Sequence, residues 1–198
     1  MIDEPSSNRP SPESRRQQIL DAACERVRQS GFHGASMADI AKAAGLSVGQ
    51  IYRYFENKEA IIAAIVAQDL AEMRDKFAEL ESQPGTLLDA IEDHLPEAIE
   101  KSFDPRRAAL ALEVVAEAAR NPKVAAIVRA ADQQERDLAR VMMERNRRPE
   151  WSEAEFQARC EAVGMIFDGL LMRGVNHPEV DREAMAAVLR SAVRHLLS

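Results

Sequence analysis

Residues 36–58 limit the possible folds of this chain more than any other stretch. Their sequence, SMADIAKAAGLSVGQIYRYFENK, contains two short amphipathic patterns joined by three residues that begin with Gly45. In the first pattern, the apolar residues at i, i+3, i+4 and i+7 are Met37, Ile40, Ala41 and Ala44. Ile51 and Phe55, four residues apart, mark the buried side of the second pattern. Two helices of about two turns each, with a glycine at their junction, predict a helix-turn-helix.

Helix-capping residues support the start of both helices. Ser36 with Asp39 three residues later is close to a capping box, and Ser47 with Gln50 is a complete one. Gly45 suits the left-handed conformation that commonly ends a helix. The pattern therefore predicts one helix from Ser36 to Gly45 and a second from Ser47 to Phe55.

The outward side of the second helix carries residues that suit contact with DNA. Gly49 and Arg53 point outward when the apolar pair is buried, and Gln50 and Tyr52 lie on the flanks. A glycine lets a partner approach closely, a glutamine can bond adenine at two atoms, and an arginine can bond guanine or phosphate. Tyrosine hydroxyls and Lys58 suit phosphate oxygens. The alternative interpretation is an ordinary helical hairpin with aromatic core residues.

Residues 14–66 resemble the N-terminal DNA-binding domain of the TetR family of transcriptional regulators. The resemblance is specific because many spaced positions agree at once, whereas the rest of the chain resembles the family only in length and helical pattern. The agreeing positions are Gly31, Ser36, Ile40, Ala41, Ala44, Gly45, Ser47, Gly49, Tyr52, Tyr54, Phe55, Lys58 and Glu59.

The resemblance also implies which residues contact DNA. Ala38 and Val48 have no polar group and at most touch a thymine methyl or a sugar, and Met37 offers only its backbone N–H. Ser47 and Arg53 complete the expected set. The implied base contacts come from Ala38, Val48, Gly49 and Gln50, and the implied phosphate contacts come from Ser36, Met37, Tyr52, Tyr54 and Lys58.

The charge of the chain is divided unevenly. The formal net charge is −7, yet residues 9–60 hold eight Lys or Arg against six Asp or Glu. DNA binding depends on local rather than total charge, so a mildly basic N-terminal part is compatible with it. The excess is small, and we expect modest non-specific affinity at physiological salt.

Several functional classes find no support in the sequence. Cys24 and Cys160 are too few and too far apart for a disulfide framework or a zinc knuckle. None of the four histidines follows a glutamate at di-iron spacing, and no HExxH, P-loop or GxSxG motif occurs. We therefore expect no enzyme, with no catalytic residue, metal or cofactor. The first residues lack the apolar run of a signal peptide, and no run is long enough to span a bilayer. We expect a soluble, cytoplasmic protein that does not contact a membrane.

The pattern of caps and prolines predicts an all-α chain of about nine helices and no strand. We expect a disordered tail over residues 1–13, a helix-turn-helix domain of three helices over 14–60, and a helical bundle for ligand binding and dimerisation over 61–198. Ser14 with Gln17 predicts the start of the first helix, which Gly31 closes. The remaining helices are predicted from Asn57 to before Pro84, over 87–101 with a kink or break near Leu95 before Pro96, and over 105–119, 122–147, 152–174 and 181–197.

The last two predicted helices are apolar around much of their circumference. Such helices are buried on several sides. Two of them with their two-fold mates predict a four-helix homodimer interface, which the family resemblance also implies. The alternative is a monomeric bundle with a well-buried hairpin.

We expect a small-molecule pocket in the second half, because methionine and aromatic side chains suit an adaptable apolar cavity. The candidate ligand-binding residues are Met73, Phe77, His94, Phe103, Glu113, Met142, Phe167, Asp168 and Met172.

The expected function is a ligand-responsive DNA-binding transcriptional regulator, with an unknown small-molecule effector and a palindromic double-stranded DNA operator as partners. The family resemblance implies a repressor that the effector releases from its operator. The alternative is a DNA-binding scaffold or nucleoid-associated adaptor that binds a protein partner and senses no ligand. A cavity between the helices would favour the sensor, and a solid core would favour the scaffold.

Overall fold

The computed structural model describes residues 11–198, which form nine helices and no strand. The all-α prediction is therefore confirmed. The chain divides into two compact units, one ending at Ile65 and one beginning at Val66. The helices are α1 (Pro12–Gly34), α2 (Met37–Ala43), α3 (Val48–Ile51), α4 (Lys58–Ser82), α5 (Leu87–Ser102), α6 (Pro105–Ala118), α7 (Pro122–Glu144), α8 (Glu153–Asn176) and α9 (Arg182–Leu197).

Helix α1 begins one turn before the predicted start. The hydroxyl of Ser11 accepts a hydrogen bond from the backbone N–H of Ser14 at 3.1 Å, so Ser11 is the N-cap. Pro12 occupies the first helical turn, where a proline needs no hydrogen-bond donor. The prediction of a cap at Ser14 is therefore wrong. Of the expected disordered tail, residues 1–10 lie outside the described residues.

The first unit is built around the apolar faces of α1 to α3 and the first turns of α4. Gly31 has a φ of 70° and interrupts α1 near its C-terminal end, as its position in the sequence predicts. The buried residues of this core are Ile19, Leu20, Ala23, Val27, Phe32, Ile40, Ala41, Ala44, Ile51, Phe55, Ile61, Ile62 and Ile65.

The second unit contains two apolar clusters. The first includes Trp151, the single tryptophan of the chain, and is formed by residues of α4, α5, α7, α8 and α9. The second joins Leu95 and Ile99 of α5 to Leu170 of α8 and Ala186 of α9. Both clusters pack α8 and α9 against α5.

Helix α5 continues through Pro96 without a break. Proline lacks the N–H that would bond the carbonyl of Glu92, which commonly costs a helix about 3 kcal/mol. Leu95 and Ile99 on either side of it are each 1% exposed, and their packing holds the helix together. Of the kink or break predicted near Leu95, the break is therefore wrong, because tertiary burial outweighs the local penalty.

A buried ion pair fastens α9 to α5. The carboxylate oxygens of Glu92 lie 2.6 Å from Nε and 2.7 Å from Nη2 of Arg194. The Glu92 side chain is only 8% exposed, whereas the Arg194 side chain is 52% exposed. Asp89 adds a weaker contact to the same guanidinium at 3.4 Å. The end of the chain is thus held by electrostatic as well as apolar contacts.

Candidate nucleic-acid interface and internal cavity

Helix α2 is closed at both ends by the predicted residues. Ser36 and Asp39 form a reciprocal capping box, in which each accepts a hydrogen bond from the backbone N–H of the other at 3.1 Å. The hydroxyl and the backbone N–H of Ser36 lower the pKa of Asp39 by stabilising its carboxylate. Gly45 follows with a φ of 65°, in the left-handed region.

Helix α3 is shorter than the sequence predicts. The Ser47–Gln50 capping box is present, but the α-helix ends at Ile51. The next turn is tightened by i to i−3 hydrogen bonds, from Arg53 N–H to the Gln50 carbonyl at 3.1 Å and from Tyr54 N–H to the Ile51 carbonyl at 3.0 Å. The ring of Phe55, which follows this turn, is still buried. The prediction of a regular helix up to Phe55 is therefore wrong.

The predicted DNA-contacting residues of α3 and its following turn form an exposed surface. Val48 is 44% exposed and Tyr52 is 52% exposed, and Gly49, Gln50 and Arg53 are also exposed. Within the described part of the chain, the side chains of Arg53 and Tyr52 make no hydrogen bond or ion pair. This surface therefore presents an unpaired cation and a phenol next to a glycine.

The other expected DNA-binding residues differ in accessibility. Ser36, Ala38 and Ser47 are exposed, whereas Met37 and Tyr54 are half-buried. The polar atoms of both serines are partly occupied by their capping boxes.

The ammonium of Lys58 is committed within the first unit. Its Nζ donates a hydrogen bond to the Phe32 carbonyl at 2.8 Å and lies 4.5 Å from the centre of the Phe32 ring. An ammonium has three donors, so a phosphate contact from Lys58 would be additional to this one. The sequence pattern indicates a cation at this position but not its partner in the fold.

Two residues of α1 support the helix-turn-helix through contacts that the sequence did not predict. The Arg16 guanidinium lies 4.3 Å from the centre of the Phe55 ring and donates to the Tyr54 carbonyl at 3.4 Å. Gln18 donates to the carbonyl of Ala44 at 2.6 Å, at the end of α2. Their partners are 26 to 38 residues away in sequence, so no local pattern identifies them.

The second unit contains a cavity of about 790 Å³. Residues from α4, α5, α7 and α8 line it, and its size falls within the range of small-molecule sites. Four of the expected ligand-binding residues are brought together in its wall, namely Phe77, His94, Met142 and Phe167.

The other five expected ligand-binding residues do not line this cavity. Phe103 is buried in the second apolar cluster, and Met73 and Glu113 are half-buried elsewhere. Asp168 is exposed on α8, and Met172 is 47% exposed on the same helix. Helical periodicity identifies apolar residues, and acidic residues on largely apolar helices. It does not tell whether these residues face a core, a cavity or the surface.

The cavity combines apolar walls with charged residues, most of which are paired. Lys76 pairs with Glu97 at 2.8 Å, and Arg136 lies 3.7 Å from Glu161. Glu135 makes no ion pair or hydrogen bond with the residues that the structure describes. Desolvation raises the pKa of Glu135, and the nearby carboxylates of Asp168 and Asp132 raise it further.

Two other polar groups lie in the cavity wall. Nδ1 of His94 lies 2.9 Å from the carbonyl of Ala90, which can only accept, so Nδ1 carries a proton. Nε2 of His94 lies 3.2 Å from the side-chain amide of Gln83 and 3.5 Å from a carboxylate oxygen of Glu79. Burial raises the pKa of the Cys160 thiol, which therefore stays protonated and weakly nucleophilic at neutral pH.

Comparison with known proteins identifies the family. Residues 19–65 match the family model described as bacterial regulatory proteins of the tetR family. Residues 86–198, more than half of the chain, match the model described as the C-terminal domain of BetI-type transcriptional repressors. The chain belongs to the TetR family. The helix-turn-helix assignment made from the sequence is thereby confirmed.

Individual TetR-family relatives agree with this assignment. The transcriptional regulator UidR of Escherichia coli K12 is 37% identical over 114 residues, or 58% of this chain and 57% of the relative. This chain thus spans little more than half the length of the first curated relatives that it matches. The structure of Salmonella enterica GusR is 25% identical, with a TM-score of 0.77 over 94% of this chain and 97% of that one.

The fold is also shared with FadR from Bacillus subtilis, whose structure was determined in complex with stearoyl-CoA. That chain is 20% identical and has a TM-score of 0.73 over 92% of this chain and 97% of its own.

Among residues 11–198, no helix combines the length and apolar character needed to span a bilayer.

Proposed function

We propose that this chain is a homodimeric transcriptional repressor that a small molecule releases from a palindromic DNA operator. The observation that carries the proposal is the position of α4 in both units. Ile61 and Ile62 of this helix are buried in the core of the first unit, and Phe77 lines the cavity of the second. A change in the cavity wall can therefore reach the DNA-binding unit along one continuous helix.

Operator binding is supported by the surface of α3 and the following turn. Arg53, Tyr52 and Gln50 are exposed there, and a carbon atom added at Gly49 would meet no atom within 4 Å, so a partner can approach closely. Selection from a random DNA library should yield a near-palindromic site. Its half-sites should be about 34–36 Å apart, one turn of DNA. Enrichment of no sequence would contradict this part of the proposal.

Arg53 provides a direct test of the proposed interface. Its replacement by alanine should weaken operator binding without destabilising the fold, because its side chain has no partner among residues 11–198. Replacement of Arg190, an exposed residue of α9 in the other unit, is the matched control and should leave DNA affinity unchanged. Equal effects of the two changes would contradict the assignment of Arg53.

Homodimerisation is supported by apolar residues that α8 and α9 leave exposed. Met165 is 65% exposed, Met172 is 47% exposed and Val188 is 70% exposed. The outward side of α9 also carries the small residues Ala184 and Ser191, which allow another helix to approach closely. Large exposed apolar side chains on neighbouring helices are typical of protein interfaces.

Val188 rather than Leu189 is the residue with which to test the dimer. Leu189 packs against the second apolar cluster of its own chain, so its replacement by glutamate would damage the fold. Val188→Glu should give a folded monomer, because it places a charge in the proposed interface and nowhere else. Light scattering should give about twice the 22.0 kDa chain mass for the wild type. A dimer that survives Val188→Glu would contradict this interface.

The cavity supports an effector with a largely apolar body. Phe77, Leu80, Met142 and Phe167 provide apolar wall, and pairs such as Lys76–Glu97 provide polar groups at other positions. A chain without such a cavity would suit a scaffold that binds DNA and a protein partner. The cavity therefore favours the ligand sensor over the scaffold.

Release from the operator requires preferential binding of the effector to one dimer state. Moving populations from 1:99 to 99:1 needs about 10⁴-fold tighter binding to the released state, and about 10²-fold gives only partial release. A thermal-shift screen of apolar metabolites, followed by operator release with each hit, tests this. Hits that stabilise the fold but leave operator affinity unchanged would favour the scaffold.

Gly164 offers a variant that blocks the cavity. It lies in the cavity wall, and a carbon atom added to it would meet nothing within 4 Å. Gly164→Trp should therefore abolish binding of each hit, whereas the control Gly164→Ala should retain it. Equal ligand binding by both variants would show that the hits bind elsewhere.

A further inference from the structure

The cavity of the second unit has a buried apolar floor and an exposed side. Leu80, Met142 and Val163 belong to the floor and are all buried. Most exposed residues of the cavity wall lie instead on α7 and α8. The rim of the cavity is formed by Glu135, Arg136 and Arg140 of α7 with Ala158, Glu161 and Gly164 of α8. The cavity of the single chain therefore opens to solvent between these two helices.

The rim continues into the exposed apolar side of α8. Ala158 and Glu161 precede Met165 by seven and four residues, so the three residues share one side of the helix. Met172 follows Met165 on the same side, again seven residues later. Met165 is 65% exposed and Met172 is 47% exposed. One side of α8 thus carries both the rim and the apolar residues of the proposed dimer interface.

We propose that the second copy of the chain closes the cavity, so that the effector site is complete only in the dimer. This inference rests on the proposed homodimer. Glu161 lies one helical turn before Met165, with about 5–6 Å between their Cβ atoms, and Gly164 is its neighbour in the chain. A helix with its side chains is about 10–12 Å wide. A partner helix that covers Met165 therefore also reaches the rim.

Closure by the partner links occupation of the cavity to dimerisation. A molecule enclosed between the two copies binds the dimer more tightly than the monomer, and it strengthens the dimer by the same factor. The partner also excludes water from the apolar floor, which favours an effector with an apolar body. The second copy is then part of the effector site as well as of the DNA-binding assembly.

The first test measures how readily a reagent in solution reaches Cys160, a half-buried residue of the cavity wall. Its thiolate displaces iodide from iodoacetamide and forms a thioether, and mass spectrometry of the peptide gives the rate. We expect at least about fivefold faster reaction in the Val188→Glu monomer than in the wild-type dimer. Cys24 lies in the first unit and is the internal control, with a rate that should agree within about twofold. Equal Cys160 rates in dimer and monomer would overturn closure of the cavity.

Ala158 provides a second test that does not depend on a monomeric variant. Ala158→Glu places a carboxylate on the rim, where the partner would bury it without a counterion. The matched control is Ala71→Glu, because Ala71 is exposed on α4 and lies outside the cavity wall. By sedimentation equilibrium, Ala158→Glu should raise the dimer dissociation constant at least about tenfold, and Ala71→Glu should leave it within about twofold.

The outcomes separate closure of the cavity from dimerisation itself. Equal dissociation constants for Ala158→Glu and Ala71→Glu, together with a monomeric Val188→Glu, would overturn closure and leave the proposed dimer intact. A monomeric wild type, or a Val188→Glu variant that remains dimeric, would overturn both the interface and this inference.

Discussion

Replacing Arg194 by methionine should destabilise the second unit, because it leaves the carboxylate of Glu92 buried without its partner. Removal of one member of a buried ion pair commonly costs 3–5 kcal/mol, roughly. One feature of the structure lowers this figure. The guanidinium is half-exposed, so water can enter when it is lost. We expect a loss of about 2–3 kcal/mol at pH 7.

Urea unfolding followed by the fluorescence of Trp151 reports on this unit, because Trp151 is the only tryptophan and is buried in its first cluster.

Two controls isolate the ion pair. Arg190→Met removes an exposed arginine from the same helix and should change stability by less than about 0.5 kcal/mol. The double variant Glu92→Leu with Arg194→Met removes both charges and should regain most of the loss. A loss below about 1 kcal/mol in Arg194→Met at pH 7 would refute the reasoning.

Three further predictions concern residues of both units. Gly174→Ala should destabilise the second unit by roughly 1–3 kcal/mol, because the new carbon would lie 3.0 Å from backbone atoms of α5 and of the residue after it. The control Gly164→Ala should stabilise the unit by up to about 1 kcal/mol, and urea unfolding measures both changes. Lys58→Met should lower both the melting temperature and the salt slope of DNA binding, because its ammonium bonds the Phe32 carbonyl, and loss of DNA affinity alone would contradict the contact. Cys160 should alkylate more slowly than a free cysteine at pH 8, since its raised pKa lowers the thiolate fraction, and mass spectrometry of labelled peptides measures this.

Local signals in the sequence predicted the helix starts better than the helix ends. The capping boxes at Ser36 and Ser47 and the turn at Gly45 depend only on residues within one turn of the chain, and all three are present. The interruption expected at Pro96 and the length expected for α3 depended on tertiary burial, which a local pattern does not contain.

The candidate sites were predicted less completely for the same reason. The exposed side of α3 follows from its two buried apolar residues, because a helix with a known inside has a known outside. The cavity is different, since Phe77 and Phe103 both satisfy apolar periodicity, yet only Phe77 faces the open space. The capping box of Gln50 was visible in the sequence, but the position of its amide oxygen, 2.8 Å from the backbone nitrogen of Ser47, was not.

An occupant of the cavity should change operator affinity, and Cys160 allows a direct measurement of this effect. In a Cys24→Ser background, the Cys160 thiolate formed at high pH would react with the apolar probe benzyl methanethiosulfonate. The reaction forms a mixed disulfide, releases methanesulfinate and places a benzylthio group in the cavity wall. Fluorescence anisotropy would then compare operator affinity of the labelled and unlabelled dimers, with Cys160→Ser treated identically as the control. We expect at least tenfold weaker operator binding by the fully labelled dimer and no change in the control. Unchanged operator affinity at complete labelling would contradict the coupling between cavity and DNA.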